Sequence, residues 1–296
     1  MKTLTVFTPT YNRAYLLPRL YRSLKGQSCK DFIWMIIDDG STDETLQLVE
    51  KWKGEGLVDI EYFYQENQGM SGAHNTAYQH IKTLYNTCID SDDMMPGNGV
   101  ELILRSIKSV DDTKDIAGII GLDADVSGKV LGTLMPTGIE STTLNELHRK
   151  DKVTGDKKLV YKTEVMREIE PYPVYPNERL VPLSHKYLLA DQKYKMIPVN
   201  EIFCLVEYQE DGSTRNMLKQ YRRHPKGFAY ARITRINLEK GLKEKFKNAI
   251  HLVSSGLFSG DYKSWFKSQH TLLVLAAIPF GVLLNLYIRL KTKKNQ

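Results

Sequence analysis

Cysteine is scarce in this chain of 296 residues: Cys29, Cys88 and Cys204 are the only three. They are far apart, odd in number and set in apolar runs, which argues against a disulfide framework and against a zinc site, and fits a reducing compartment. A long apolar run is missing from the N-terminus. "MKTLTVFTPTYNR" offers only a short stretch before Thr-Pro-Thr, too short for the core of a signal peptide, so the functional part is expected to work inside the cell. Internal repeats and low-complexity tracts are also missing, and 42% hydrophobic residues exclude a disordered or fibrous chain. That content suffices for one large domain, or a domain with appendages.

Apolar, β-branched or aromatic runs stand at Leu4–Thr8, Phe32–Ile37, Ile60–Tyr64 and Thr87–Ile89, with amphipathic stretches such as Tyr15–Leu24 and Glu44–Trp52 between them. This alternation predicts an α/β layer with a mainly parallel sheet, whose ligands sit beyond the carboxyl ends of the strands. Three polar loops fall at that edge, each directly after an apolar strand: "TPTYNR" (8–13), "DDGSTDE" (38–44) and "DSDD" (90–93). The last gathers Asp90, Asp92 and Asp93 within four positions. Like charges so close repel, so a positive partner is expected, and a divalent cation is the natural one. A plain strand-ending turn is the alternative for any one loop. Three of the four strands ending this way favour a ligand crevice.

In the second loop, Gly40 permits a tight turn, Ser41 or Thr42 can cap the next helix, and Asp43 and Glu44 suit its positive end. Asp38 and Asp39 are not needed for capping, and a carboxylate there can accept hydrogen bonds from a base or a ribose. Tyr11 can stack on a base or simply pack.

Taken together, "TPTYNR", "DDGSTDE", "NQGMSGAHN" (67–75) and "IDSDD" (89–93), in this order and spacing, resemble the family 2 glycosyltransferases with the GT-A fold. The stretch "YPNERLVPLSHKYLLADQKYKMIPVNEIFCLVEYQEDGSTRN" (175–216) looks like the acceptor half of bacterial members that build capsule or other surface polysaccharides. The resemblance implies a Rossmann-like sheet with helices on both faces. It also implies an inverting transferase that uses a nucleotide-diphosphate sugar, with UDP as the leading nucleotide, and Mn²⁺ or Mg²⁺. It puts Thr8, Pro9, Tyr11 and Arg13 along the nucleotide, Asp39 facing the base, and Asn67, Gly69 and His74 at the nucleotide sugar. Asp90–Ser91–Asp92 becomes the metal-binding D-x-D signature, with Asp93 sharing the metal or holding the loop. His74 stands where an arginine is common, and Met70 where some relatives carry lysine.

The chemistry requires two further functions. A hard cation can neutralise the leaving diphosphate, and carboxylate oxygens suit it. A carboxylate must also take the proton of the attacking hydroxyl. The resemblance assigns that role to Glu178, with Glu168, Glu170 and Asp191 as nearby competitors and a partner of Arg179 or Lys186 as the ordinary alternative. Asp211-Gly212-Ser213 in "EYQEDGSTRN" reads as a turn.

The expected organisation is a catalytic domain over 1–216, divided into a nucleotide-sugar half (1–110) and an acceptor half (111–216), followed by a basic helical region over 217–296. Between Arg215 and Ala249 there are eleven Lys or Arg residues against two Glu. Nucleic acid is not the expected partner, because stacking aromatics are few and no nucleic-acid module is present. "TLLVLAAIPFGVLLNLYI" (271–288) is uncharged, interrupted by Pro279 and Gly281, and flanked by lysines and arginine on both sides. An interfacial or re-entrant segment on the cytoplasmic face of the membrane is preferred to a span, which would place the last basic residues outside; a buried helix of the globular domain is the third option. A lipid-linked or cell-surface glycan acceptor would account for such a tail. Two other classes remain: a nucleotidyltransferase, for which a Gly- and Arg/Lys-rich phosphate loop is missing after the first strand, and a non-catalytic membrane-docking scaffold.

Overall fold

The first strand, LTVFTPT, is buried along its whole length, which is what a strand covered on both faces requires. The computed structural model describes residues 2–110, 115–207 and 216–293. Its strands are β1 (Leu4–Thr10), β2 (Phe32–Asp38), β3 (Ile60–Tyr64), β4 (Tyr85–Cys88), β5 (Ile116–Asp125), β6 (Lys157–Lys162) and β7 (Lys195–Val206), in one sheet of order β3-β2-β1-β4-β6-β5-β7. The pairs β1/β2, β1/β4, β2/β3 and β5/β7 are parallel, and β6 runs antiparallel to both its neighbours. The carboxyl ends of the other six strands and the amino end of β6 therefore share one edge. The expected mixed α/β, mainly parallel sheet is present.

The described helices are α1 (Leu17–Lys25), α2 (Thr45–Glu55), α3 (Gly69–His80), α4 (Gly99–Ile107), α5 (Leu144–Arg149), α6 (Thr163–Glu168), α7 (Ser184–Ala190), α8 (Met217–Arg223), α9 (Pro225–Leu238), α10 (Leu242–Ser259), α11 (Thr271–Ala276) and α12 (Ile278–Lys293). In α1, Leu17, Leu20, Tyr21 and Leu24 recur at helical spacing and all are buried. They join Leu4, Val6, Trp34, Ile36, Val49 and Ile103 in one core, so α1, α2 and α4 cover one face of the sheet. Tyr21 and Trp52 stack at 4.5 Å between ring centres, and Trp34 lies 5.7 Å from Trp52. The opposite face meets α3, where Phe7 packs edge-on against His74 and Tyr78.

The chain divides into two compact units. The first comprises Met1–Asn67, Ala73–Pro171 and Lys186–Gln209 and contains the sheet. The second comprises Gln68–Gly72, Tyr172–His185 and Glu210–Gln296 and is built around α10, with α9, α11 and α12 packed on it through Ala229, Ile236, Leu252, Val253, Val274 and Ala277. The basic run is only partly a solvated face: Arg232 is enclosed and donates to Asn248 Oδ1 at 2.7 Å.

The apolar segment is two helices, and none of the described helices is long and apolar enough to cross a membrane. Its break falls at Ala277. Pro279 stands in the first turn of α12, where a missing N–H is tolerated. Gly281 does not interrupt the helix as expected. It is buried, and a Cβ there would collide with Val253 and the Ile250 carbonyl, so its role is to let α12 approach α10. Gly281→Leu is expected to lower stability by about 1–3 kcal/mol through overpacking, read as a shift of the denaturant midpoint. An unchanged midpoint would show that α12 is not held against α10.

Candidate active site

The first two loops are tied together by their own side chains. Asn12 adopts a positive φ of 51°, its N–H donates to Ser41 Oγ at 2.9 Å, and its Oδ1 accepts from the Thr42 N–H at 2.8 Å. Asp43 accepts from Ala14 N at 2.9 Å and from the Thr45 N–H and hydroxyl at 3.1 and 2.6 Å. Burial pushes its carboxyl up, but these hydrogen bonds outweigh that and hold it below the usual carboxylate range. Asp43, rather than Ser41 or Thr42, thus satisfies the start of α2. Gly40, at φ 88°, makes the tight turn that was expected and lies against Asn67. Asp38 accepts from the Ser41 N–H and the Tyr62 hydroxyl. The buried Asp39 accepts from Gln65 Nε2 at 2.7 Å, and Gln65 in turn accepts from the Thr76 hydroxyl. Tyr11 is exposed at the rim, with Arg13 half-buried beside it.

β1 extends two residues past its expected end, so Thr8 and Pro9 lie inside the strand, and the Thr8 hydroxyl accepts from Trp34 Nε1 at 3.0 Å. Thr8 therefore holds the sheet together at its end rather than standing in a loop.

The DSDD loop closes as a turn, with the Asp93 N–H on the Asp90 carbonyl at 3.0 Å, and is pinned to β7 by two backbone hydrogen bonds between Met94 and Leu205. Asp90 and Asp92 are half-buried, and Ser91 and Asp93 are buried. Asp93 Oδ2 accepts from the Cys204 thiol at 3.5 Å and lies 4.0 Å from Lys158 Nζ. Burial pushes the Asp93 carboxyl up to about 7 against the pull of Lys158. Lys158, its side chain 13% exposed, is the centre of this cluster. Burial opposes its charge, yet Cys204, Asp123, Asp93 and Asp90 draw its pKa well above the ordinary lysine value. Burial keeps Cys204 a thiol, so the carboxylates supply the counter-charge. Asp93 thus faces an internal cation, while Asp90 and Asp92 stay half-buried beside it.

Asp123 and Lys158 carry no motif, and the sequence reading missed both. Their signal is a buried carboxylate, Asp123, within the strand IAGIIGLDAD and a lysine entering the sheet on β6. A charge in an apolar run needs a partner. Three buried polar atoms at this edge have no hydrogen-bond partner among the described residues: Thr10 Oγ1, Asn67 Oδ1 and Asp123 Oδ1. Buried acceptors and donors of this kind are the groups a bound polar ligand satisfies.

His74, expected at the nucleotide sugar, is fully buried against Phe7, with Nδ1 3.4 Å from the Tyr78 hydroxyl and Nε2 3.7 Å from Cys88 Sγ. The Cys88 thiol donates onward to Asp90 Oδ1 at 3.6 Å. Burial depresses the imidazole to about 4, so at neutral pH it brings no positive charge to a diphosphate; it supports the strand that carries Asp90. The glycine of the same motif has a packing reason: a Cβ on Gly69 would collide with the Arg179 backbone, and Ser71 Oγ accepts from the Val181 N–H at 3.2 Å.

Glu178 is buried, and its Oε1 and Oε2 accept from the backbone N–H groups of Lys226 and Gly227 at 3.0 and 2.9 Å, at the amino end of α9. Burial raises its pKa and these two bonds lower it, with burial prevailing. It is no solvent-facing partner of Arg179 or Lys186; Lys186 instead donates to the carbonyls of Ile169 and Glu170. Asp191 caps α5 through the Leu144 and Asn145 N–H groups, and Glu168 pairs with Lys193. The turn expected at 211–213 lies outside the described residues.

Residues 5–168, more than half of the chain, match the profile of glycosyl transferase family 2. The chain is a family 2 glycosyltransferase. Chondroitin synthase of Escherichia coli is 32% identical to this glycosyltransferase over 104 residues, which are 35% of the chain and 15% of that protein. Such matches span between 10% and 17% of the relatives' own lengths. S. aureus TarS 1–349, solved in complex with UDP-GlcNAc, superposes with a TM-score of 0.59 at 16% identity, covering 100% of this chain and 93% of that one. The mannosyltransferase PcManGT of Pyrobaculum calidifontis, solved with GDP-Man and Mn²⁺, gives 0.57 at 16% identity over 96% of this chain and 87% of that one. These two establish a shared fold.

Two outcomes test this description of the glycosyltransferase's site. Lys158→Met leaves buried carboxylates without their cation and is expected to cost about 3–5 kcal/mol at pH 8. Carboxyls raised in the folded state stabilise it as pH falls, so part of the loss should return at pH 5; an equal loss at both pH values would contradict the cluster. His74 has its folded value below its unfolded one, so protonation disfavours the fold. Between pH 7 and pH 4 the natural protein should lose about 3 kcal/mol more stability than His74→Gln, measured by urea titration, and parallel pH profiles would show that His74 is not buried neutral.

Proposed function

We propose that this glycosyltransferase moves a sugar from a nucleoside-diphosphate sugar, with UDP as the leading nucleotide, to a lipid-linked or cell-surface glycan acceptor in bacterial polysaccharide synthesis. The observation that carries the reading is the edge shared by Asp39, Asn67, Asp90, Asp92 and Asp123, where buried polar atoms are unsatisfied beside half-buried carboxylates. Names among the relatives support the class: chondroitin synthase for a glycan product, UDP-GlcNAc and GDP-Man as ligands in proteins of the same fold.

No group of three or more His, Cys, Asp or Glu side chains among the described residues encloses a metal. Two half-buried carboxylates still fit a hard divalent ion that takes its remaining oxygens from diphosphate and water. Asp90 and Asp92 would hold Mn²⁺ or Mg²⁺, which when bound supplies neutralisation of the leaving diphosphate. Lys158 and Asp93 keep the loop in shape, and Asp39 with its Gln65 partner offers a fixed acceptor to the nucleoside.

The attacking hydroxyl must lose its proton as it displaces the diphosphate in line, which inverts the anomeric centre. The proton acceptor is proposed on the resemblance, which assigns Glu178. Its raised pKa suits a base, and two backbone hydrogen bonds leave lone pairs available while fixing the carboxylate.

Asp92→Ala should abolish the Mn²⁺-dependent rise in melting temperature produced by nucleoside diphosphates. Unaltered metal dependence would remove Asp92 from the site. Glu178→Gln should bind nucleoside diphosphate normally while transfer of radiolabelled sugar falls at least about a hundredfold, the usual worth of a positioned base. If transfer per folded molecule is unchanged, Glu178 is a helix cap alone.

A further inference from the structure

The helix α12 is apolar on two opposite sides. One side, Gly281, Asn285 and Ile288, is buried on α10, with Asn285 Nδ2 donating to the Ser254 carbonyl at 3.1 Å. The other side is Leu283, Leu286 and Leu290, exposed at 64%, 52% and 70%, and α11 adds Leu272 at 82%. Successive residues turn by about 100°, so Leu283, Leu286 and Leu290 form one stripe on α12 roughly opposite Gly281, with Phe280 and Tyr287 along one border. A helix with apolar residues all round is ordinarily enclosed. Here one side is uncovered by any described residue of its own unit, and scattered apolar exposure does not form a continuous stripe.

Charge decides what covers it. After Asp261 the sequence contains no acidic residue, while Lys263, Lys267, Arg289, Lys291, Lys293 and Lys294 follow. On α12, Arg289 and Lys291 fall about 100° to either side of the leucine stripe, the arrangement of an apolar centre with cationic borders. A second copy laid on this stripe would bring like charges together. An anionic lipid surface would be complementary both to the stripe and to its borders. Length fixes the mode: the 16 residues of α12 rise about 24 Å, short of the roughly 30 Å hydrocarbon core.

We infer that the exposed leucine stripe of α11 and α12 is a membrane-docking face that lies in the plane of an anionic phospholipid leaflet, with the basic residues at its borders. The inference is independent of the proposed donor and acceptor, because it concerns only the apolar stripe and its charges.

The test is flotation of the full chain, without nucleotide or metal, on vesicles of phosphatidylglycerol and phosphatidylcholine in equal parts, against pure phosphatidylcholine. The protein should float with the anionic vesicles and only weakly with the neutral ones. Leu283→Glu with Leu286→Glu should lower partitioning by about a hundredfold, since two leucines no longer enter the apolar layer. Both positions are exposed, so the melting temperature should not change. Lys291→Glu with Lys293→Glu should weaken binding several-fold in low salt and much less in high salt. The natural protein failing to float, or the leucine variant floating equally, would overturn the inference, whatever the transfer assay shows. So would sedimentation showing a dimer that the leucine substitutions dissociate while vesicles bind nothing, because a second copy would then be the cover.

Discussion

The buried ammonium of Lys158 is the constraint around which the catalytic edge is arranged. Asp93 and Asp123 are too enclosed to remain charged on their own, and each has its pKa raised by burial. A lysine entering on the one antiparallel strand supplies the compensating charge from the far side of the sheet centre. The DSDD turn is thereby held by an interior cation and by the Met94–Leu205 backbone pair before any ligand arrives. Asp90 and Asp92 stay half-buried in the same turn. Preorganisation of that kind lowers the cost of binding a charged donor, because the loop does not have to be ordered on arrival.

The parallel half of the sheet was legible because each strand ends in a polar loop with a chemical pattern, and strand and helix alternate with clear periods. The strands beyond Ile107 were not, although the helical character of 217–296 was. Lys158 and Asp123 sit on strands joined by a long connection, and neither KKLVYK nor IAGIIGLDAD gives a spacing from which to infer which charge meets which. His74 is a related case. The resemblance put it at the nucleotide sugar, whereas its burial against Phe7 and Cys88 is a property of the packed sheet face, which no motif displays. Gly281 read as a break because glycine weakens helices in isolation, whereas in the fold it permits close approach to α10. Glu178 shows the limit of motif reading: its carboxylate is engaged by an amino end, that of α9, which begins nearly fifty residues later.

The segment 67–75 illustrates how one motif can serve two purposes. Its first part packs through Gly69 and Ser71 against residues 179–181, and its later part, with His74, fills the sheet face beneath β1 together with Tyr78 one turn on. Small residues at the start and aromatic ones after it are what those two surroundings demand. The C-terminal helices follow the same logic with the opposite sign of exposure, since α12 meets α10 through Gly281, Asn285 and Ile288 and carries large leucines where it does not.

The central claim is that the edge carrying Asp39, Asn67, Asp90 and Asp92 binds a nucleoside-diphosphate sugar. Its most direct test is the melting temperature of the full chain across a panel of nucleotide sugars, each with Mn²⁺ and again with a chelator. A ligand that binds the folded state alone raises the melting temperature by mass action. The account predicts a clear rise for one nucleotide class with Mn²⁺ that disappears with the chelator. No rise with any nucleotide sugar would contradict it.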